Sequence, residues 1–330
     1  GRELNFSSDV DLLYVYESDE GRTQPIQATR PSGSLPGSVK GLSTALSISN
    51  EEYFEYLGRQ LTQALSAVTA EGYVFRVDLR LRAEGSVGRL CQSLASYQHY
   101  YRARGKGWER LALLKAWPVA GRADVGRRFL TMVRPFVYDT AAASAGAGLQ
   151  GRIAELLGQV RGIKELIDAK MRSRQQEGRN VKLGTGGIRE IEFIVQAVQA
   201  LFGGRLAGIR TRGTLQALER FERAGLLPAG EYAALSHAYL FLRDVEHKLQ
   251  MVHDLQTHAL PDDRDELMRC AVRLGYGADD RPRAFRRFLE DHRRHTARVH
   301  RLFQSLFYAP HRSPLLRAAL RKEGGPLGGS

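Results

Sequence analysis

The chain opens on the pattern that constrains its fold most, two aspartates one residue apart at the start of an apolar run. Asp9 and Asp11 flank Val10, and the run from Leu12 to Tyr16 that follows favours a strand. Side chains two residues apart on a strand point to the same face, so both carboxylates should project together. Two carboxylates this close repel each other unless one takes a proton or a cation lies between them. The pattern therefore predicts a strand whose polar face needs a partner.

Small polar residues precede the two aspartates and predict a turn suited to phosphate. Gly1, Ser7 and Ser8 offer backbone N–H groups and hydroxyls of the kind that cradle an anion. A hard divalent ion bound through oxygen atoms would relieve the repulsion between the carboxylates. A polar turn followed by Asp-x-Asp on a strand is typical of metal-dependent nucleotidyltransferases. The alternative is a solvated turn or a fragment of a calcium-binding loop, which the same residues also fit.

A second strand is predicted at 75–82, and it brings a third carboxylate. Apolar and polar residues alternate strictly there, and the polar face carries Arg76, Asp78, Arg80 and Arg82. Asp78 would complete a divalent-metal site with the aspartate pair, in which ions stabilise the attacking and leaving oxygens at phosphorus. Arginines beside it would bind non-reacting phosphates through paired hydrogen bonds. The alternative is a solvated face on which Asp78 pairs with its neighbours and Arg80 and Arg82 are surface charges.

A glycine-rich turn leads into a helix further along the chain. Three glycines and a threonine at 184–187 stand directly before an apolar stripe of helical period, and Glu190 lies apart from the polar stripe. Free N–H groups at such a helix start attract phosphate. One interpretation is that Lys182 and the turn face a nucleotide, while Glu190 or Glu192 orients a group in the cleft. The other is a glycine-capped core helix on which Arg189 and Glu192 form a surface pair.

Periodicity and helix breakers organise the rest of the first half. Residues 17–49 are rich in Gly, Ser, Pro and Thr without a period, which predicts a long mobile loop. A helix that covers one face of the sheet is predicted from Asn50, as its N-cap, to a stop at Gly72. Another helix is predicted near Ser93 to Arg104. Residues 108–121 remain ambiguous between a helix end and a strand.

A composition shift across residues 134–148 marks the predicted domain boundary, and the helical period dominates after it. We predict an α+β catalytic domain at 1–140, an all-helical bundle at 141–310 and a flexible tail at 311–330. The helices predicted beyond the boundary cover residues 150–176, 188–203, 212–225, 229–254, 263–275 and 281–308.

The charge balance bounds the partners of this chain. Its 49 basic and 36 acidic residues give a net charge of +13, which implies affinity for phosphates, polyanions or acidic protein surfaces. Aromatic residues are not interleaved with the basic ones as nucleic-acid binding requires, so nucleic acid is a minor alternative. Two distant cysteines suit a reducing cytosol, and no apolar run approaches the roughly 18 residues of a membrane helix. We expect a cytoplasmic chain without membrane contact and, because it begins without Met inside a motif, a fragment of a longer protein.

Assembled, these stretches resemble the glutamine synthetase adenylyltransferase family, the bifunctional adenylyl-transferring and adenylyl-removing enzymes. Family members carry two homologous halves. Two sequence motifs, Asn5-Phe6-Ser7-Ser8 and Arg189-Glu190-Ile191-Glu192, are similar to the amino-terminal, deadenylylating half. The segments that resemble the family are residues 1–11, 75–82, 93–97, 108–110, 182–184, 186–193 and 239–243.

The resemblance implies a polymerase-beta-like nucleotidyltransferase domain with a mixed sheet, in which Asp9, Asp11 and Asp78 are the catalytic acids that bind Mg²⁺ or Mn²⁺. It implies phosphorolysis, in which inorganic phosphate attacks the phosphorus of an adenylylated tyrosine on glutamine synthetase and releases ADP. The implied partners are adenylylated glutamine synthetase, the PII signal protein in its uridylylated form, ADP or ATP, and inorganic phosphate. The same displacement can run as adenylyl transfer from ATP. A catalytically silent module that binds PII or glutamine synthetase is a further alternative.

Overall fold

The structure is a computed structural model that describes residues 3–5, 7–23, 47–138, 148–253 and 257–322. Most of the predicted loop at 17–49, nearly all of the small-residue run at 141–148 and the end of the predicted tail lie outside the described residues. Packing divides the chain into two compact units, and each is described by itself. The smaller unit comprises 9–105 and 117–133, and the larger unit comprises 1–8, 106–116 and 134–330. Among the described residues, no helix is long and apolar enough to cross a membrane.

Four short strands of the smaller unit form two parallel ladders. β1 (Asp9–Asp11) pairs with β3 (Arg76–Asp78), and β2 (Tyr14–Tyr16) pairs with β4 (Cys91–Ser93). The amide of Leu12 donates to the carbonyl of the last β3 residue at 2.9 Å and so extends the first ladder. Strands and helices together make a mixed α+β chain, as predicted, although the described strands pair only in parallel.

The predicted strand at 75–82 is correct only in its middle. Ladder pairing is confined to β3, whereas Phe75 is exposed and the chain turns directly afterwards. The amide of Arg82 donates to the carbonyl of Leu79 at 3.3 Å, which is a turn rather than a ladder bond. Alternation of polar and apolar residues cannot by itself show where a strand gives way to a turn. The prediction therefore ran too long at both ends.

Helix α1 (Asn50–Ser66) contacts β3 and β4 and covers one face of the strands, as predicted. Its N-cap is Ser49 rather than Asn50. The Ser49 hydroxyl accepts a bond from the amide of Glu52, and the Glu52 carboxylate accepts one from the amide of Ser49, which is a capping box. The side chain of Asn50 instead donates to two backbone carbonyls of the preceding segment.

A glycine lets α1 lie close to the strands and thereby sets the direction of the strand side chains. A Cβ at Gly58 would stand 2.4 Å from Sγ of Cys91 and 3.4 Å from the ring of Tyr14. Tyr16 stacks on Phe54 of α1 with ring centroids 4.7 Å apart. Both tyrosines therefore face α1, while Asp9 and Asp11 lie on the separate strand β1, which pairs with β3.

Two helices occupy the stretch that the sequence left ambiguous or missed. α2 (Leu94–Ala103) has the predicted position, and α3 (Gly107–Leu113) resolves the ambiguity at 108–121 as a helix followed by turns. α4 (Ala123–Tyr138) was not predicted, because Pro135 and the composition shift favoured a break. Proline removes one backbone bond near the end of α4, but an apolar stripe outweighs that loss. The buried residues of the stripe are Val125, Phe129, Val133 and Val137.

The larger unit is built from helices at the predicted positions, together with α3 and one more. α6 (Ile188–Phe202) is its central helix, because α3, α5, α7, α8 and α10 all contact it. The flexible tail predicted at 311–330 is wrong for α11 (Pro314–Lys322), which buries leucines that the glycine-rich chain end obscured in the sequence. The remaining helices are α5 (Leu149–Ser173), α7 (Thr214–Arg223), α8 (Ala229–His253), α9 (Arg264–Arg273) and α10 (Arg281–Phe307).

Candidate functional site

The three predicted acids lie on the two strands of the first ladder. Its parallel register aligns Asp11 with Asp78, and Asp9 with Arg76. Aligned residues on neighbouring parallel strands point to the same face about 4.8 Å apart. The three carboxylates therefore share one face of this ladder. Asp11 and Asp78 also end their strands, and the carboxyl ends of parallel strands are where open α/β sheets bind ligands.

Arginine side chains bind the carboxylates of Asp9 and Asp78. Nε of Arg76 donates to Oδ1 of Asp9 at 2.8 Å. Nε of Arg80 lies 3.0 and 2.9 Å from the two Asp78 oxygens, and its backbone amide donates to Oδ1 at 2.8 Å. These bonds from Arg80 hold the pKa of Asp78 below its usual value, although burial opposes them. Asp78 is therefore an anion at neutral pH.

The donor chemistry of this face fits a hard divalent ion. Its carboxylate oxygens are the ligands that Mg²⁺ and Mn²⁺ prefer. Across the described ranges, no group of three or more His, Cys, Asp or Glu side chains stands close enough together to hold a metal ion. The Arg80 side chain that binds Asp78 is 80% exposed, so rotating it away costs little. Rotation of Arg80 is thus the change that would free Asp78 as a ligand.

Arg82 is engaged in local structure. Its guanidinium donates to the backbone carbonyls of Leu79, Ser86 and Gly88 at 2.8–3.1 Å. These bonds fix the turn that follows β3. A role of Arg82 in binding phosphate stays a prediction, and it would require at least one of these bonds to break.

The polar residues before β1 also make bonds within their own unit. The amide of Ser7 donates to Oε1 of Gln250 at 3.2 Å, and Ser7 is buried. Oγ of Ser8 accepts a bond from the amide of Asn5 at 2.8 Å, which closes a turn. Gly1 lies outside the described residues. The turn that the sequence predicted is present, and its role as a phosphate cradle stays a prediction.

The glycine-rich turn before α6 differs from the expected anion site. The first three amides of the helix donate to the carbonyls of Val181, Lys182 and Gly187, and the amide of Thr185 donates to that of Glu177. A helix start whose N–H groups are already bonded lacks the free donors that attract phosphate. These bonds contradict the prediction that free N–H groups at this helix start attract phosphate. Lys182 stays a predicted phosphate ligand, and its Nζ lies 3.6 Å from Oε1 of Glu246.

Close packing explains the glycines, and substitution at Gly186 tests this. Gly186 has φ +69°, and a Cβ there would stand 2.0 Å from the carbonyl oxygen of Thr296 in α10. We expect Gly186→Ala to lower the free energy of unfolding by about 1–3 kcal/mol, measured in urea. The control is Gly162→Ala in α5, where nothing lies within 4 Å of the added Cβ. That variant should be neutral or more stable by up to about 1 kcal/mol; an equal loss in both would contradict the explanation.

Arg189 and Glu192 form the surface pair that the second interpretation predicts. Nη1 of Arg189 lies 3.3 Å from Oε2 of Glu192. Nζ of Lys115 lies 3.6 Å from the same carboxylate and 2.7 Å from that of Glu3. Glu192 therefore belongs to a charged cluster of the larger unit.

Glu190 lies in the core of the larger unit. Its Oε1 is 3.0 Å from Nζ of Lys164, and Nδ1 of His300 is 3.2 Å from its Oε2. Asp168 binds the same Lys164 ammonium at 2.6 Å. Burial opposes the charge of Lys164, but the two carboxylates outweigh it and raise the lysine pKa. Sequence reasoning missed Lys164, although its place on the apolar stripe of α5, four residues after Val160, was the available signal.

A second buried carboxylate, Glu246 of α8, was also missed. Its oxygens lie 2.8 Å from Nδ1 of His258, 3.1 Å from Nη1 of Arg243 and 3.6 Å from Nζ of Lys182. Burial would raise the pKa of Glu246, but these three side chains hold it at about 2. The carboxylate therefore stays ionised inside the larger unit.

Two family models and several curated proteins are similar to this chain. A family model described as GlnD PII-uridylyltransferase matches residues 161–307, and one described as glutamate-ammonia ligase adenylyltransferase matches residues 35–132. Three similar curated proteins share the name bifunctional glutamine synthetase adenylyltransferase/adenylyl-removing enzyme. The protein of Nitrosococcus oceani is 40% identical over 94% of this chain, that of Hahella chejuensis 40% over 83%, and that of Burkholderia pseudomallei 41% over 84%. The chain covers 28%, 25% and 28% of these relatives, about a quarter of their length.

Proposed function

Because this chain belongs to the family of bifunctional glutamine synthetase adenylyltransferase/adenylyl-removing enzymes, we propose that it removes AMP from adenylylated tyrosine on glutamine synthetase. The chain spans about a quarter of the length of these relatives. An oxygen of inorganic phosphate attacks the phosphorus of the adenylyl group. The new P–O bond makes ADP, while the bond from phosphorus to the tyrosine oxygen breaks. The phenolate that leaves then takes up a proton.

One observation carries the proposal, the parallel register that aligns Asp11 with Asp78 and puts Asp9 on the same face. These carboxylates would hold Mg²⁺ or Mn²⁺, which when bound polarises phosphoryl oxygens and offsets the charge of the departing phenolate. Arg80, once rotated away from Asp78, offers an exposed guanidinium for a non-reacting phosphate. A general base is unnecessary, because phosphate itself is the nucleophile.

Two sequence features support removal rather than transfer of AMP. The sequence motifs at Asn5 to Ser8 and at Arg189 to Glu192 are similar to those of the deadenylylating half of the family. The match of residues 161–307 to a PII-uridylyltransferase model supports the PII signal protein, in its uridylylated form, as a regulatory partner. Reaction chemistry alone does not decide the direction, because both directions pass through displacement at phosphorus.

The proposal is tested by incubating the purified chain with adenylylated glutamine synthetase, Mg²⁺ and phosphate. We expect ADP release that requires phosphate and stops when the metal is chelated. Transfer of label from ATP to unmodified glutamine synthetase, without ADP release from the adenylylated form, would reverse the direction. If neither reaction occurs and Asp9→Asn binds PII as the unmodified chain does, the chain is a silent regulatory module.

A further inference from the structure

Helix α10 carries a stripe of arginines along its solvent face. Ala284, Phe288, Val299, Phe303 and other buried side chains form one side of this helix, and the exposed arginines lie opposite them. At about 100° per residue, all exposed arginines of α10 except Arg281 at the helix start fall within less than half of the helix circumference. At about 1.5 Å per residue they extend over about 27 Å. The members of this arginine stripe are Arg283, Arg286, Arg287, Arg293, Arg294, Arg298 and Arg301.

Few of these charges are balanced within the chain. Arg294 pairs with Asp291 at 2.7 Å, and Arg298 donates to a backbone carbonyl of α8. Over the part of the chain that the structure describes, no carboxylate lies within ion-pair distance of Arg283, Arg286, Arg293 or Arg301. Glu290 is the one exposed carboxylate of α10 on this face, so seven arginines leave a large excess of positive charge that an anionic partner would stabilise.

We propose that the arginine stripe docks an acidic surface of the protein substrate, which rests on the proposed function for the identity of that substrate. Binding energy from contacts remote from the reacting phosphorus raises the effective concentration of a macromolecular substrate. A stripe of about 27 Å matches the width of a standard protein interface, which buries about 800 Å² on each partner. The docked substrate is adenylylated glutamine synthetase.

The chemistry of the stripe favours a protein over a nucleic acid. Single-stranded nucleic acids need aromatic side chains on which bases stack, and no exposed aromatic residue stands between the arginines of α10. The only ring close to a stripe guanidinium is that of Tyr276, 6.0 Å from Arg287, among the cation–ring contacts of the described residues. α10 contains no lysine, and arginine binds carboxylates in pairs of hydrogen bonds and is enriched in protein interfaces.

The test compares two double variants that change net charge equally. Arg286→Glu/Arg293→Glu reverses two unpaired stripe charges, and Arg102→Glu/Lys170→Glu reverses two exposed charges on α2 and α5. At low ionic strength the stripe variant should raise KM for adenylylated glutamine synthetase about tenfold and leave kcat unchanged. The difference should shrink with added salt. Phosphorolysis of a small substrate, the AMP ester of an N-acetyltyrosine amide, should be equal in both variants.

Direct binding of adenylylated glutamine synthetase to each variant separates this proposal from the proposed function. Absence of turnover by the unsubstituted chain on both substrates would defeat the proposed function, while a tenfold weaker Kd of the stripe variant would still support docking. Equal Kd and equal KM in the two variants would overturn docking. Docking would also be overturned if the stripe variant lost only affinity for duplex DNA, which would make the stripe a nucleic-acid surface.

Discussion

Asp11→Asn lowers the rate of ADP release by about 10²–10³-fold or more at saturating Mg²⁺, because one of the aligned carboxylates loses its charge. Asp9→Asn and Asp78→Asn act in the same direction. The free energy of unfolding without metal should change by only about 0.5 kcal/mol, since the Asp11 side chain is exposed. A second readout is the shift in melting temperature on adding Mg²⁺, which should disappear in the Asn variants.

The matched control for this experiment is Asp124→Asn. Asp124 belongs to the same unit and binds the guanidinium of Arg122 at 2.6 Å, but it lies on α4 and outside the strand ladder. It should keep both the rate of ADP release and the Mg²⁺-dependent melting shift. An equal loss at Asp11 and Asp124 would mean that carboxylate removal acts through general damage, and the ladder face would lose its assigned role.

Glu190→Ala lowers the free energy of unfolding by about 3 kcal/mol, because it leaves the Lys164 ammonium buried without one of its two anions. The loss falls in the lower part of the range for broken buried pairs, since Asp168 still lies 2.6 Å from Nζ. The measurement is unfolding in urea, monitored by the circular dichroism signal of the helices. The control is Glu192→Ala, two residues along the same helix, where the partly exposed pair with Arg189 is worth about 1 kcal/mol or less.

A double variant tests whether charge is the cause. Lys164→Met/Glu190→Leu replaces both buried charged groups by apolar ones of similar size, and the Asp168 carboxylate that loses its partner is partly exposed to solvent. It should recover most of the stability that Glu190→Ala loses. If it were as unstable as the single variant, the loss would come from packing around α6, and the ion pair would not be its source.

Residue alternation and spacing in the sequence predicted which strand faces carry the acids of the candidate site. Asp9 and Asp11 were expected on one face of a strand, and Asp78 on the polar face of a neighbour, and the ladder aligns them so. What alternation could not predict was where β3 ends. The bonds from Arg82 to three carbonyls replace ladder pairing with a turn, and such bonds depend on residues that meet only after folding.

Long-range packing decided the other differences. Glycines at 184–187 look alike in sequence whether they bind phosphate or allow a helix to approach, and the contact of Gly186 with α10 decides for packing. Pro135 predicted a break that the apolar stripe of α4 overrides. Glu190 was correctly set apart from the polar stripe of its helix, but its partner Lys164 is on another helix. Spacing within one helix cannot identify such a pair.

The interleaving of the two units along the chain has a consequence for the order of folding during synthesis. The smaller unit is complete once residue 133 has left the ribosome, so its ladders can form before α5 exists. Segments 3–8 and 106–116 are synthesised early but belong to the larger unit. Helix α3 must wait for α5 and α6, and Glu3 for the helix that begins at Thr214. A nascent chain therefore carries two unsatisfied segments, one preceding the already folded unit in sequence and one inserted between its two parts, until the central helices emerge.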